Sequence, residues 1–391
     1  MKTVILTSAL LLTTLSAKAP LNVRQEIDFI GQQLVLADKA RPSTARIPHS
    51  SKLDGSANDR ETSWWTSGFY PGSLWYLYEA TGNNRYRTLA QKWTEALTPE
   101  QFNTHTHDLG FMLYNSFGNG YRLTKNLTYK QVLLQGAKSL ATRFDPNVGV
   151  IKSWDRHKEY DYPVIIDNMM NLEFLFWASR ESGDDSYRKL AITHADNTLK
   201  NHFRPDGSSY HVVAYGPTGD VLARVTAQGA ADASAWARGQ AWGLYGFTVM
   251  YRETKDRKYL DQARKIAQFL LTHKNLPADR IPYWDFDRPG EERDASAGAI
   301  MASALLELSQ YDKADAKRYV ATAETILTRL ASPAYKAQLG QNNQFVLLHS
   351  VGHKPANAEV DVPLVYADYY FLEALLRYDR LSQKKPVVTP G

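Results

Sequence analysis

Residues 234–251, SAWARGQAWGLYGFTVMY, and residues 254–270, TKDRKYLDQARKIAQFL, decide the fold. The first stretch is apolar nearly all round and rich in Gly, Ala and aromatics, the composition of a helix buried on every side. The second opens on a polar turn and then runs with helical periodicity and one polar face, as an outer helix does. A buried helix joined by a short turn to an amphipathic one is an antiparallel helical hairpin.

The same pair recurs along the chain. Polar turns leading into amphipathic helices start at Thr81 (TGNNRYRTLAQKW), Thr124, Ser182 and Asp312, and residues 22–40 supply one more outer helix. Apolar, aromatic-rich stretches start at Gly68, His107, Asp167, Ser296 and Tyr366. Six such alternations close most simply into a toroid, with inner helices lining a core and outer helices covering them. The expected fold is therefore all-α, an (α/α)6 barrel forming one domain over residues 20–391. The segment from Arg204, RPDGSSYHVVAYGPTGDVLARVTAQG, alternates and turns as a small β-hairpin excursion would. Long connections into the inner helices mark the end of the barrel where function is expected.

Composition narrows the function. Hydrophobic residues at 43% and charged residues at 22% suit a well-packed globular chain. Nine Trp and 23 Tyr exceed what a core needs, and aromatic faces stack on the apolar faces of sugar rings. The net charge of +5 is modest and scattered, which excludes a nucleic-acid footprint but suits a small anionic substrate. The start, Met1 and Lys2 followed by the apolar run Val4 to Leu15 and small residues to Ala19, reads as a signal peptide over 1–19. It is too short for a membrane span, so the expected address is periplasmic or secreted without membrane insertion. The chain has no Cys, which removes disulfides and thiolate-held groups. No phosphate-cradling motif is present, and His105 with His107 lacks a matching ligand cluster; neither metal nor cofactor is expected.

Asp108, Asp167, Asp294 and Asp368 stand at or just inside the starts of inner helices, and Asp232 just before another. Helix capping is the ordinary explanation for each. Asp108 is flanked by His105 and His107, and Asp167 follows the apolar approach YPVII, which would desolvate its carboxyl and raise its pKa. Two carboxyls converging on a cavity mouth, one kept protonated, are the apparatus of glycoside chemistry. His211, Gln228, Arg238 and Trp242 fall on the same rim. Arg238 and Trp242 share one face of an apolar helix, where the Arg must find an anion, either a substrate or an internal carboxylate.

At these residues the chain resembles the unsaturated glucuronyl hydrolases of glycoside hydrolase family 88. The resemblance is carried by TSGFYPGSLWYLYEATG, HDLGFM, IIDNMMNLE, RPDGSSYHVV, WARGQAWGLYG, IPYWDFD, DASAGAI and YADYYFLEAL, and spans most of the chain after the signal peptide. It implies hydrolysis of oligosaccharides left by polysaccharide lyases, whose non-reducing end is a 4,5-unsaturated uronate. It also implies roles: Asp167 as general acid and base, Asp108 as the residue that orients substrate and keeps Asp167 protonated. His211, Gln228, Arg238 and Trp242 become contacts to the uronate, joined by His107, Trp65 and Trp154. Ser350, His353 and Lys354, in HSVGHKPANAEVD, become contacts to sulfate on the next sugar, whether the parent is a glycosaminoglycan or ulvan. An unsaturated rhamnogalacturonyl hydrolase, or a binding protein without chemistry, is the competing expectation.

Overall fold

The computed structural model describes residues 21–389, so the expected signal peptide lies outside the described residues. Among the described residues, twelve α-helices alternate between two layers. The outer layer holds α1 (Val23–Ala40), α3 (Asn84–Glu95), α5 (Leu127–Ala141), α7 (Ser186–Asn201), α9 (Arg257–Thr272) and α11 (Ala316–Leu330). The inner layer holds α2 (Phe69–Thr81), α4 (Asn119–Thr124), α6 (Leu172–Ser182), α8 (Ala237–Thr254), α10 (Ala295–Leu308) and α12 (Val365–Ser382). Every residue of α10 is buried, whereas α9 buries Tyr259, Leu260, Ala263, Ile266, Ala267 and Leu270 along one stripe. The inner ring closes because α12, which packs on α10, also packs on α2.

The recurring polar turn has a local cause. The residue ending each of four inner helices is left-handed: Gly82 (φ 65°), Lys125 (54°), Gly183 (77°) and Lys255 (60°). That cap reverses the chain. In three of the four turns the next residue, Asn83, Asn126 or Asp256, then caps the outer helix by accepting a backbone N–H.

Two inner segments depart from the expected α-helix at their starts. The second begins as a π-helical stretch, Gly110–Gly118, before α4, and the third as a 3-10 turn, Ile166–Asn171, before α6. These non-α turns carry or follow Asp108 and Asp167, and such irregular turns concentrate at functional sites. Glycine lets the segments meet. An alanine Cβ at Gly110 would lie 2.5 Å from Asn171 Oδ1, and one at Gly68 would lie 2.1 Å from Phe111 O and 2.3 Å from Met112 O. The Gly68 clash is with backbone, which cannot rotate aside. Gly68→Ala is expected to cost about 1–3 kcal/mol or more, read as a lower urea midpoint; an unchanged midpoint would contradict this packing.

Short strands decorate the ring. β1 (Ile47–Ser51) pairs with β2 (Ala57–Arg60), and β3 (Phe144–Asp145) with β4 (Val150–Ile151). β5 (Pro163–Ile165), β6 (Val212–Tyr215) and β7 (Val221–Val225) form a three-stranded sheet, and β8 (Ser350–His353) pairs with β9 (Ala358–Val362). The hairpin expected from Arg204 is β6–β7; the other pairings exceed the single excursion read from the sequence. Their alternation is too brief to stand out, and β5 completes its sheet only through a distant partner.

Candidate active site

The acidic residues at the inner-helix starts separate by what they bind. Asp294 caps α10, accepting from Ser296 N at 3.0 Å and Ser296 Oγ at 2.6 Å. Asp368 accepts from Val346 N and Leu347 N, both at 2.8 Å, and so ties down the loop before β8. Asp232 is exposed and accepts from Thr226 N. Asp108 and Asp167 cap no helix. Asp108 accepts from Thr106 Oγ1 at 2.8 Å and lies 3.3 Å from His107 Nε2, while Asp167 Oδ2 is buried without any hydrogen-bond partner. A buried carboxylate oxygen left unused is costly, and natural proteins keep such groups for function.

His211 Nε2 lies 3.7 Å from Asp167 Oδ2, too far for a hydrogen bond but close enough to face it. The other ring nitrogen settles which one carries the proton. His211 Nδ1 accepts from the backbone N–H of Ala227 and of Gln228, both at 3.1 Å, so in the neutral ring Nε2 is the N–H that points at Asp167. Burial, reinforced by the charge of Arg238, holds His211 well below the ordinary histidine pKa, so the ring is neutral at pH 7. Burial pushes the Asp167 carboxyl up to about 7, opposed by the charge of Arg238 and helped by the negative charge of Asp108. Among the described residues, His211 Nε2, Trp242 Nε1, Arg238 Nε and the Tyr366 hydroxyl all lack partners. A buried acid of raised pKa among unused polar groups is an arrangement suited to a polar guest.

The remaining sequence candidates sort by position. His107 is buried, its pKa lowered by that burial, while His105 is exposed. Trp154 is half-buried, edge-on to His211 at 6.1 Å between ring centres. Trp65, Phe111, Trp242 and Tyr370 form a connected aromatic floor with successive centroid separations of 5.5, 5.2 and 5.3 Å. Arg238 takes the internal option: it pairs with Asp294 at 3.4 Å and donates to the Val351 and Gly352 carbonyls. It offers the pocket positive charge and its free Nε. Gln228 Nε2 donates to the same Gly352 carbonyl at 2.9 Å, so β8 sets both side chains. Ser350 is fully buried, His353 Nε2 meets the Ala227 carbonyl at 2.9 Å, and Lys354 is ion-paired with both Glu291 and Glu292. These pairings leave Lys354 little free charge for a sulfate.

Sequence reading passed over Trp236 and Tyr366. The Trp236 ring lies 4.4 Å from His211 and 4.5 Å from the Arg238 guanidinium, and the Tyr366 ring 5.3 Å from that guanidinium. Both lie in quoted motifs, and an aromatic two residues before a buried Arg was the available signal. His49 was invisible: it is fully buried in β1, with Nδ1 2.9 Å from Thr66 Oγ1 and Nε2 bonded to Glu359, across 310 residues.

Fold and site together define a glycoside hydrolase built on an (α/α)6 barrel, with a buried carboxyl of raised pKa at the start of an inner segment. The chain belongs to glycosyl hydrolase family 88, whose model matches residues 37–373. It is similar to the unsaturated glucuronyl hydrolase of Formosa agariphila, 48% identical over 82% of this chain and 81% of the relative. It is also similar to the unsaturated chondroitin disaccharide hydrolase of Streptococcus pyogenes serotype M1, 36% identical over 80% of this chain and 81% of that one. Among solved structures, an unsaturated glucuronyl hydrolase specific for heparin matches with a TM-score of 0.90 at 46% identity, covering 94% of this chain and 99% of the other.

Proposed function

We propose that the chain removes the 4,5-unsaturated uronate from the non-reducing end of oligosaccharides made by polysaccharide lyases. The observation that carries this reading is Asp167, buried, about half protonated at neutral pH and ringed by unused donors. The C4=C5 bond of the substrate is an enol ether. Neutral Asp167 gives its proton to C4, leaving an oxocarbenium-like centre at C5; water adds there and its proton returns to the Asp167 carboxylate. The C5 hemiketal opens, and the resulting hemiacetal at C1 releases the leaving sugar. Asp108 keeps its partner protonated by its own charge. The His211 Nε2–H faces Asp167 and the incoming sugar, and the half-buried Trp154 supplies a face for the ring.

The heparin and chondroitin activities named for the relatives support a glycosaminoglycan source. Ulvan products carry the same unsaturated uronate. A panel of heparin, chondroitin, ulvan and pectin lyase products is expected to show loss of the enol-ether ultraviolet absorbance on at least one sulfated-polysaccharide arm. No loss on any arm contradicts the reading, and loss on pectin products alone favours a rhamnogalacturonyl hydrolase. The apolar run from Val4 to Leu15 supports export; a mature form shorter than the precursor in the periplasmic fraction tests it.

The first proton transfer needs Asp167 in its acid form, and its pKa is about 7. The ratio kcat/KM should therefore fall above pH ~7 by about tenfold per pH unit. A profile flat to pH 9 would remove Asp167 as the acid.

A further inference from the structure

Arg60, at the end of β2, is half-buried, and its Nε is fully enclosed, yet it makes no hydrogen bond among the described residues. Its guanidinium stacks 4.6 Å above the ring of Trp64, a large apolar side chain that remains 39% exposed. Glu359 Oε1 lies 4.0 Å from Arg60 Nη2 and bonds His49 instead, so it orients the guanidinium without occupying its donors. A planar cation with free N–H groups over one face of a partly exposed indole combines an anion fork with a sugar platform.

The pair is linked to the pocket by contact. Gly352, whose carbonyl holds Arg238 and Gln228, also lies against Glu359; a Cβ there would fall 2.2 Å from Glu359 Oε2. Arg238, Gly352, Glu359 and Arg60 thus form a chain of contacts from the surroundings of Asp167 to the half-exposed Arg60. Trp64 precedes Trp65 of the aromatic floor. Lys354, the cation otherwise read as meeting the second sugar, is neutralised by two glutamates.

Building on the function proposed above, we propose that Trp64 and Arg60 form the subsite for the leaving sugar, Trp64 stacking on its ring and Arg60 binding an anionic substituent on it. Sulfate and carboxylate share that chemistry. The test is calorimetric titration in an Asp167→Asn background, where substrate is not consumed, with and without Arg60→Gln. Three unsaturated disaccharides serve as probes: one with a sulfated, one with a uronate and one with a neutral leaving sugar. Arg60→Gln is expected to raise Kd about tenfold or more for one or both anionic probes, as loss of a charge-assisted hydrogen bond does, and under twofold for the neutral one. Arg60→Lys should restore part of the difference, and Trp64→Ala should weaken all three. Equal weakening across the probes, or none, overturns the proposal. Because the readout is affinity, it stands apart from wild-type turnover, whose absence would count against the proposed reaction instead.

Discussion

Asp167→Asn is expected to lower turnover of an unsaturated disaccharide by about 10³-fold while leaving the protein folded and able to bind. General acid–base transfer contributes roughly 10²–10⁴-fold, and this residue serves both the protonation of C4 and the recovery of the proton from water. No helix loses its cap by the change, since Asp167 caps none and its Oδ2 is unpartnered. Stability should move oppositely to activity. The folded-state pKa is raised from 3.8 to about 7, so the carboxyl favours the fold below pH ~4 and that contribution is lost as pH rises through about 7. At pH 8 the asparagine variant should be the more stable, by at most roughly 4 kcal/mol; near pH 4 the two should match. Urea denaturation at the two pH values measures this, and a variant less stable at pH 8 would contradict the assigned burial of charge.

The second large effect is expected at Asp108. Asp108→Asn keeps the shape and removes the charge that helps hold Asp167 protonated, so turnover should fall about a hundredfold at neutral pH. The alkaline limb of kcat/KM should also move to lower pH, because the asparagine no longer opposes ionisation of Asp167. A variant that loses rate with the limb unmoved would assign Asp108 to substrate contact alone. The pH profile therefore separates its two roles.

The ring of helices was legible because an apolar inner helix alternates with an amphipathic outer one throughout, in four turns through a left-handed cap and in three of those with an Asn or Asp that caps the outer helix. Asp108 and Asp167 were legible as candidates through their neighbours, but their separation from Asp294 and Asp368 came only from hydrogen bonds. Asp294 is consumed by Ser296 and Arg238, and Asp368 by two amides of the loop before β8. Arg238 shows the limit from the other side. The sequence allowed a substrate anion or an internal one, and the choice rests on Asp294, 56 residues away. The rim built by His49, Arg60 and Glu359 had no local signature, because its members meet only when β1 and β9 are brought together by closure of the barrel. The non-α starts of the second and third inner segments were equally hidden, since stretches that are apolar nearly all round carry no period that separates a 3-10 or π turn from an α-helix.

The proposed reaction takes place at the C4=C5 double bond, protonated by Asp167, and not at the anomeric carbon. It is tested most directly by giving the enzyme an unsaturated disaccharide and its saturated counterpart of the same linkage, and following both by mass spectrometry. Release of the leaving sugar, with uptake of one water, is expected from the unsaturated compound alone. Cleavage of the saturated compound at a comparable rate would contradict it.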